Sequence, residues 1–195
     1  MSGIETVSPA LILASGSPRR RELLAKAFPE FEVVVPNVEE TDSPLENAMR
    51  KACAVGERFP DAVSVGADTV IRFGGAVIGK PSDLNDARRI LTSLSGRMHE
   101  VSTGVCVRHA RTNRTVRFEE TTRVFFRTLS QDAIELYLSC VSVLDKAGAY
   151  AVQEHGDWIV ERIEGSLDNV IGLPSERLFE TLRLVFRLSA TPRQV

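Results

Sequence analysis

The chain has 195 residues, 43% hydrophobic and 26% charged, with a formal net charge of −2. That length suits one globular domain with room for two lobes. The near-neutral balance excludes a global basic field that would recruit nucleic acid or an acidic membrane surface, and no apolar run is long enough to span a bilayer.

The opening residues, Met1 to Ala10, lack the basic start and apolar stretch of a signal peptide. The three cysteines, Cys53, Cys106 and Cys140, form no CxxC pair. Neither a disulfide framework nor a zinc site is signalled, and reduced thiols in a cytoplasmic protein are expected. Leu11–Ala14 reads as a short buried strand. A turn, Ser15-Gly-Ser-Pro18, leads into a helix whose Leu23, Leu24, Ala27 and Phe28 share one stripe. Ser17 is a natural N-cap and Pro18 suits the first helical position. Free N–H groups and the positive end of the dipole make this turn suitable for an anion. Arg19, Arg20 and Arg21 sharpen that reading. Cations in a first helical turn oppose the dipole and one another, and a docked anion removes the conflict.

Phe31 to Val35 reads as a second strand, followed by an acidic loop containing Glu39, Glu40 and Asp42. Ser43-Pro-Leu-Glu46 resembles a capping box, opening a helix that runs to about Arg58 and carries Lys51. Val63 to Val70 is the central buried strand. Asp68 stands near its end, where a carboxylate needs a partner, hydrogen bonds or a metal, and Thr69 follows it. Gly74-Gly75 predicts a hairpin turn into a return strand, Ala76 to Ile78. Gly74 to Lys80 fits the start of a Walker A pattern, but Pro81 stands where a hydroxyl is required.

Ser82 or Asp83 caps the next helix, with Leu84, Ala87, Leu91 and Leu94 inward and Gly96 just past its end. Alternation predicts a strand at His99–Val107 and a long partner at Thr115–Phe126. His99 and His109 have no partner at metal-ligand spacing and read as structural. Ser130 caps a helix through Leu138, and small residues around Gly148 allow close backbone approach. Trp158 to Ile163 reads as a strand, Gly165 to Pro174 as a loop, and Ser175 to about Leu188 as the last helix. The tail, 189–195, has little to hold it. The order of elements indicates an α/β fold with a mixed, twisted sheet and flanking helices.

Several motifs together resemble the Maf family: Ser15-Gly-Ser-Pro-Arg-Arg20, Gly66-Ala-Asp-Thr69, Lys80-Pro81, Leu94-Ser-Gly96 with His99, Thr103-Gly104, Asp145-Lys-Ala-Gly-Ala-Tyr150, Gln153 and Val170-x-Gly-Leu-Pro174. The resemblance spans about residues 10 to 186 in unbroken order. It implies one Maf-like domain at 10–188, between an extension at 1–9 and the tail. It also implies a fold similar to the inosine triphosphatase-like (Maf/Ham1) class, with two lobes around a central cleft.

The implied activity is hydrolysis of a nucleoside triphosphate to monophosphate and pyrophosphate in the cytoplasm, by a homodimer using Mg²⁺ or Mn²⁺. The match is best with the branch acting on dTTP and UTP. Alternatives are a pyrophosphatase for modified purine triphosphates such as 7-methyl-GTP, and a non-catalytic nucleotide-binding regulator of cell division. By the matched motifs Asp68 takes the proton-acceptor position, with Glu40, Lys51 and Lys80 as acidic and basic active-site residues. Ser17, Arg19, Arg20, Thr69 and Gln153 match phosphate-binding or base-selecting positions, and Glu40, Asp68 and Asp83 are the candidate metal ligands. The stretch Glu46 to Lys51 is shorter than the usual lead into the family's lysine helix, so Arg50 stands as an alternative to Lys51.

Overall fold

The computed structural model describes residues 9–189. Seven strands form one mixed sheet in the order β2-β1-β3-β5-β6-β7, with β4 paired to β3. In chain order the elements are β1 (Leu11–Ala14), α1 (Pro18–Ala25), β2 (Glu32–Val33), α2 (Pro44–Arg58), β3 (Val63–Phe73), β4 (Ala76–Ile78), α3 (Leu84–Leu94), β5 (Met98–His109), β6 (Arg114–Phe126) and α4 (Gln131–Cys140). A single 3-10 turn (Ala147–Ala149), α5 (Gly156–Ile159), β7 (Val160–Glu164), α6 (Leu167–Ile171) and α7 (Ser175–Leu184) complete the order. Parallel pairing of β1 with β2 and β3, and antiparallel pairing of β3 with β4 and β6 with β7, bear out the expected mixed α/β sheet.

The chain divides into two compact units, and β3, β5 and β6 each contribute residues to both. One draws its described residues from Met1–Asp68, Gly104–Phe118 and Leu173–Val195, the other from Thr69–Thr103 and Glu119–Gly172. In the first unit Ile12, Ala14, Val55 and Ala62 pack together, and Ala48 and Ala52 of α2 meet Cys106 of β5.

Two glycines bring α2 down onto the strands. A Cβ on Gly66 would stand 2.1 Å from the Ala48 carbonyl oxygen, and one on Gly104 would stand 2.4 Å from the Leu45 nitrogen. Only residues without a side chain allow that approach. The buried stripe of α2 therefore includes Asn47, Ala48, Lys51, Ala52 and Val55.

The second unit has a core built from residues that include Leu91, Leu94, Val124, Phe126, Ile134 and Tyr137. His99 is buried in it, with Nε2 2.8 Å from the Tyr150 hydroxyl, and its ring meets Phe126 edge-on. At Gly148, whose φ is +72°, a Cβ would lie 2.5 Å from Ile71 Cδ1, so the close approach is to a side chain of β3.

Several expected elements change. β2 is only Glu32–Val33, shorter than the strand expected at 31–35, because those two residues alone pair with β1. Leu84 opens α3 half exposed instead of facing inward, and Ile90 takes the buried place beside Ala87 and Leu91. Trp158 belongs to the short helix α5, entered through His155 at φ 54°, so that strand begins at Val160. The segment expected as a loop at 165–174 contains α6, with Ser166 as its cap. The last helix ends at Leu184, and most of the expected tail, residues 190–195, lies outside the described residues, as do residues 1–8 of the N-terminal extension.

Candidate active site

The site in the first unit starts from the turn after β1. Ser17 caps α1, with Oγ accepting from the Arg20 N–H at 3.5 Å, and Pro18 occupies the first turn. Buried Ser15 accepts hydrogen bonds at Oγ from the Ser17 N–H and from Arg20 Nη1 at 3.1 Å. The first turn of α1 contains no acidic residue, so the cationic start noted in the sequence is intact. Burial pulls the Arg20 pKa below the usual arginine value. The carboxylates of Asp68 and Glu40 oppose that pull, and Arg19 adds to it. Asp68, Glu40 and the arginine turn thus share one electrostatic field. A pocket of about 370 Å³ borders the same turn, lined by Ser15, Ser17, Arg21 and Val33 among others.

Gly66 and Asp68 lie two apart on β3 and therefore face the same side. The glycine admits α2, and α2 presents two polar side chains to the carboxylate. Lys51 Nζ stands 2.8 Å from Asp68 Oδ1 and 2.6 Å from Glu40 Oε1. Asn47 Nδ2 donates to Asp68 Oδ2 at 2.9 Å. Lys51 and Asp68 have only 11% and 12% of their side-chain surface exposed, against 57% for Glu40. The ammonium thus joins a buried carboxylate to a solvent-facing one. Arg50 turns away, to the Glu39 carbonyl and to Glu46. Of the two candidate cations it is Lys51 that meets Asp68.

The capping box forms only in half. Ser43 Oγ accepts from the Glu46 N–H, but Ser43 N donates to Thr41 Oγ1, and Glu46 serves Arg50 and Thr41.

The remaining candidates belong to the second unit. Thr69 Oγ1 lies 2.9 Å from Thr103 Oγ1, and Thr103 donates to the Asn169 carbonyl. That direction commits the Thr69 proton to Thr103, so a phosphate taking a proton from this hydroxyl would reverse the chain. Lys80 is exposed just after β4, and Gln153 is exposed in the turn before α5. The Asp83 carboxylate caps α3, accepting from the Asp86 N–H at 2.8 Å. Asn47 and Ser15 were missed as site residues. The available signal was two polar residues, Asn47 and Lys51, within the otherwise apolar stripe of α2.

The family profile described as Maf-like protein matches residues 10–185. The chain belongs to the Maf family. A dTTP/UTP pyrophosphatase of Bacillus cereus is 42% identical to this Maf protein over 89% of the chain and 94% of its own length. The dTTP/UTP pyrophosphatase of Bacillus cytotoxicus is likewise 42% identical, over 88% and 93%. Among solved structures, a HAM1 protein from Coxiella burnetii overlaps 60% of the chain and 73% of its own, with TM-score 0.46 and 16% identity.

Proposed function

We propose that this Maf protein hydrolyses dTTP and UTP to the monophosphate and pyrophosphate. The observation that carries the reading is the Lys51 ammonium held between Asp68 and Glu40, in the field of Arg20. The names of the Bacillus relatives supply the substrate class. In the proposed reaction a water oxygen bonds to the α-phosphorus and the bond from that phosphorus to the bridging oxygen breaks. Pyrophosphate leaves, and the proton of the water passes to the Asp68 carboxylate as general base. Each Asp68 oxygen already accepts one hydrogen bond from α2 and keeps a further lone pair for the water.

Arg19, Arg20 and the capped turn at Ser17 hold phosphate charge by position and electrostatics. Thr69 and Lys80 serve the same end. Gln153 reads the N3–H and a carbonyl of the pyrimidine, a pattern that cytosine does not offer.

The donor set suits a hard divalent cation such as Mg²⁺ or Mn²⁺, since Glu40 and Asp68 are oxygen ligands. Among the described residues no group of three or more His, Cys, Asp or Glu converges to hold a metal. An ion of this kind takes only one or two carboxylates, with water and substrate phosphate completing its shell. When bound it would neutralise charge on the phosphates and acidify water. Asp83 is a further candidate ligand, with Oδ1 engaged as the cap of α3.

No helix among the described residues is long and apolar enough to cross a membrane. The cytoplasmic location and the homodimer rest on the family resemblance. The test is a triphosphate panel with product identification. Pyrophosphate released from UTP and dTTP, with loss on EDTA and recovery on Mg²⁺, is the expected result. Preference for 7-methyl-GTP or ITP would move the protein to the purine alternative. Orthophosphate release would mean γ-phosphate cleavage, and binding without turnover would favour the regulator.

A further inference from the structure

We infer that Asn47 is a positioning residue for Asp68, tying the proposed base to the loop that carries Glu40. Its side chain is 1% exposed, so its amide must find partners within the protein. It finds four. Nδ2 donates to Asp68 Oδ2 at 2.9 Å and to the Thr41 carbonyl at 2.7 Å. Oδ1 accepts from the Thr41 N–H at 2.7 Å and from Thr41 Oγ1 at 3.2 Å. An asparagine amide offers two donors and one oxygen with two lone pairs, and all are in use.

This also fixes which way the amide points. Turned over, its oxygen would face a carboxylate and a carbonyl, and its NH₂ would face the N–H of Thr41.

Asn47 and Lys51 are four apart on α2 and so occupy the same face. Together they hold the carboxylate at both oxygens, Lys51 at Oδ1 and Asn47 at Oδ2. The same two side chains reach the acidic loop, Lys51 through Glu40 and Asn47 through the backbone of Thr41. The neutral amide fixes the plane of the carboxylate without placing a second cation beside it. Nothing about Asn47 requires that it touch substrate. Its effect passes through the orientation of Asp68 and the seat of Glu40. The inference rests on the proposed hydrolysis for its catalytic consequence, but the contact itself can be tested without turnover.

The experiment uses the full chain and three variants, assayed with UTP and Mg²⁺ where circular dichroism shows each to be folded. Asn47→Leu keeps the branched outline, with a slightly larger volume, and removes every side-chain hydrogen bond. Asn47→Asp keeps an acceptor for the Thr41 N–H but offers Asp68 no donor. Thr41→Val removes one hydroxyl and leaves the backbone grip. We expect kcat to fall about ten- to a hundredfold in both Asn47 variants with KM little changed, the size typical of misplaced reacting groups. Thr41→Val should keep kcat near wild type.

Two readouts need no substrate. The Thr41 amide should lose hydrogen-exchange protection in Asn47→Leu. A stability cycle of Asn47→Leu with Asp68→Ala should also be non-additive. Wild-type kcat in folded Asn47→Leu, or an additive cycle, overturns the inference. A wild-type protein that cleaves no triphosphate overturns the proposed hydrolysis instead, while exchange and the cycle still decide whether Asn47 holds Asp68.

Discussion

Lys51 and Asp68 are 17 residues apart, yet Nζ and Oδ1 meet at 2.8 Å in a buried position. They meet because Gly66 removes the side chain that would hold α2 away from β3. The contact unites a helix, a strand and, through Glu40, a loop.

Removing the ammonium should expose that dependence. In Lys51→Met two carboxylates lose their shared counter-charge, one of them buried. Breaking a buried pair this way costs about 3 kcal/mol. Urea unfolding should show that loss, and kcat with UTP should fall further than stability explains. Lys51→Arg keeps the charge but not the compact shape, so it should recover stability more than turnover. Equal recovery of both would argue that Lys51 is structural only.

Asp68→Asn tests the base directly. The substituted amide can still accept from Lys51 with its oxygen, but its NH₂ then faces the Asn47 NH₂. Turnover should drop by about 10²- to 10⁴-fold, as for loss of a general base, with the far-ultraviolet spectrum unchanged. Near-wild-type kcat in a folded variant would remove Asp68 from the reaction.

Gly66→Ala should be among the most damaging single changes in the chain. A methyl group at 2.1 Å from a helix carbonyl cannot be accommodated by rotating a side chain. The backbone of α2 must move, at a cost of about 1–3 kcal/mol or more. Any protein that folds should have lost the Lys51–Asp68 contact, and thermal unfolding with a pyrophosphate assay reads both effects.

His99 should contribute to the protein's sensitivity towards acid. Burial holds its pKa down at about 4, from 6.5. Its Nδ1 has no hydrogen-bond partner, and Nε2 meets the Tyr150 hydroxyl. With the folded value below the unfolded one, the stabilisation is complete above about pH 6.5 and is lost as pH falls towards 4. The full span corresponds to about 3 kcal/mol. Urea midpoints at pH 7 and pH 4.5 should differ more for wild type than for His99→Phe. Equal differences would mean that His99 carries none of the acid sensitivity.

Much of the architecture was legible because its signals are local. Ser17-Pro18 and Ser43-Pro44 open helices as their residue types require, and Gly74-Gly75 turns β3 into β4. Short elements were harder. The five residues of α6 lie between Gly165 and Gly172, both at positive φ, and so look like loop. Trp158, Ile159 and Val160 read as one apolar strand, yet a turn at His155 winds the first two into a helix. Asn47 escaped notice for a different reason. A polar residue beside a capping sequence looks like surface, and only the packing of α2 against Gly66 and Gly104 turns it inward. Arg50 and Lys51 are adjacent and carry the same charge, and the direction each takes from the helix axis separates them.

The i, i+4 placement of Asn47 and Lys51 also limits how this segment can vary in length. Each residue inserted or deleted upstream in α2 would rotate everything after it by about 100°, since a turn holds 3.6 residues. A single insertion between the glycine-braced contacts would swing the amide and the ammonium off the strand together. Gains and losses of sequence here can preserve the pairing only in steps close to one full helical turn.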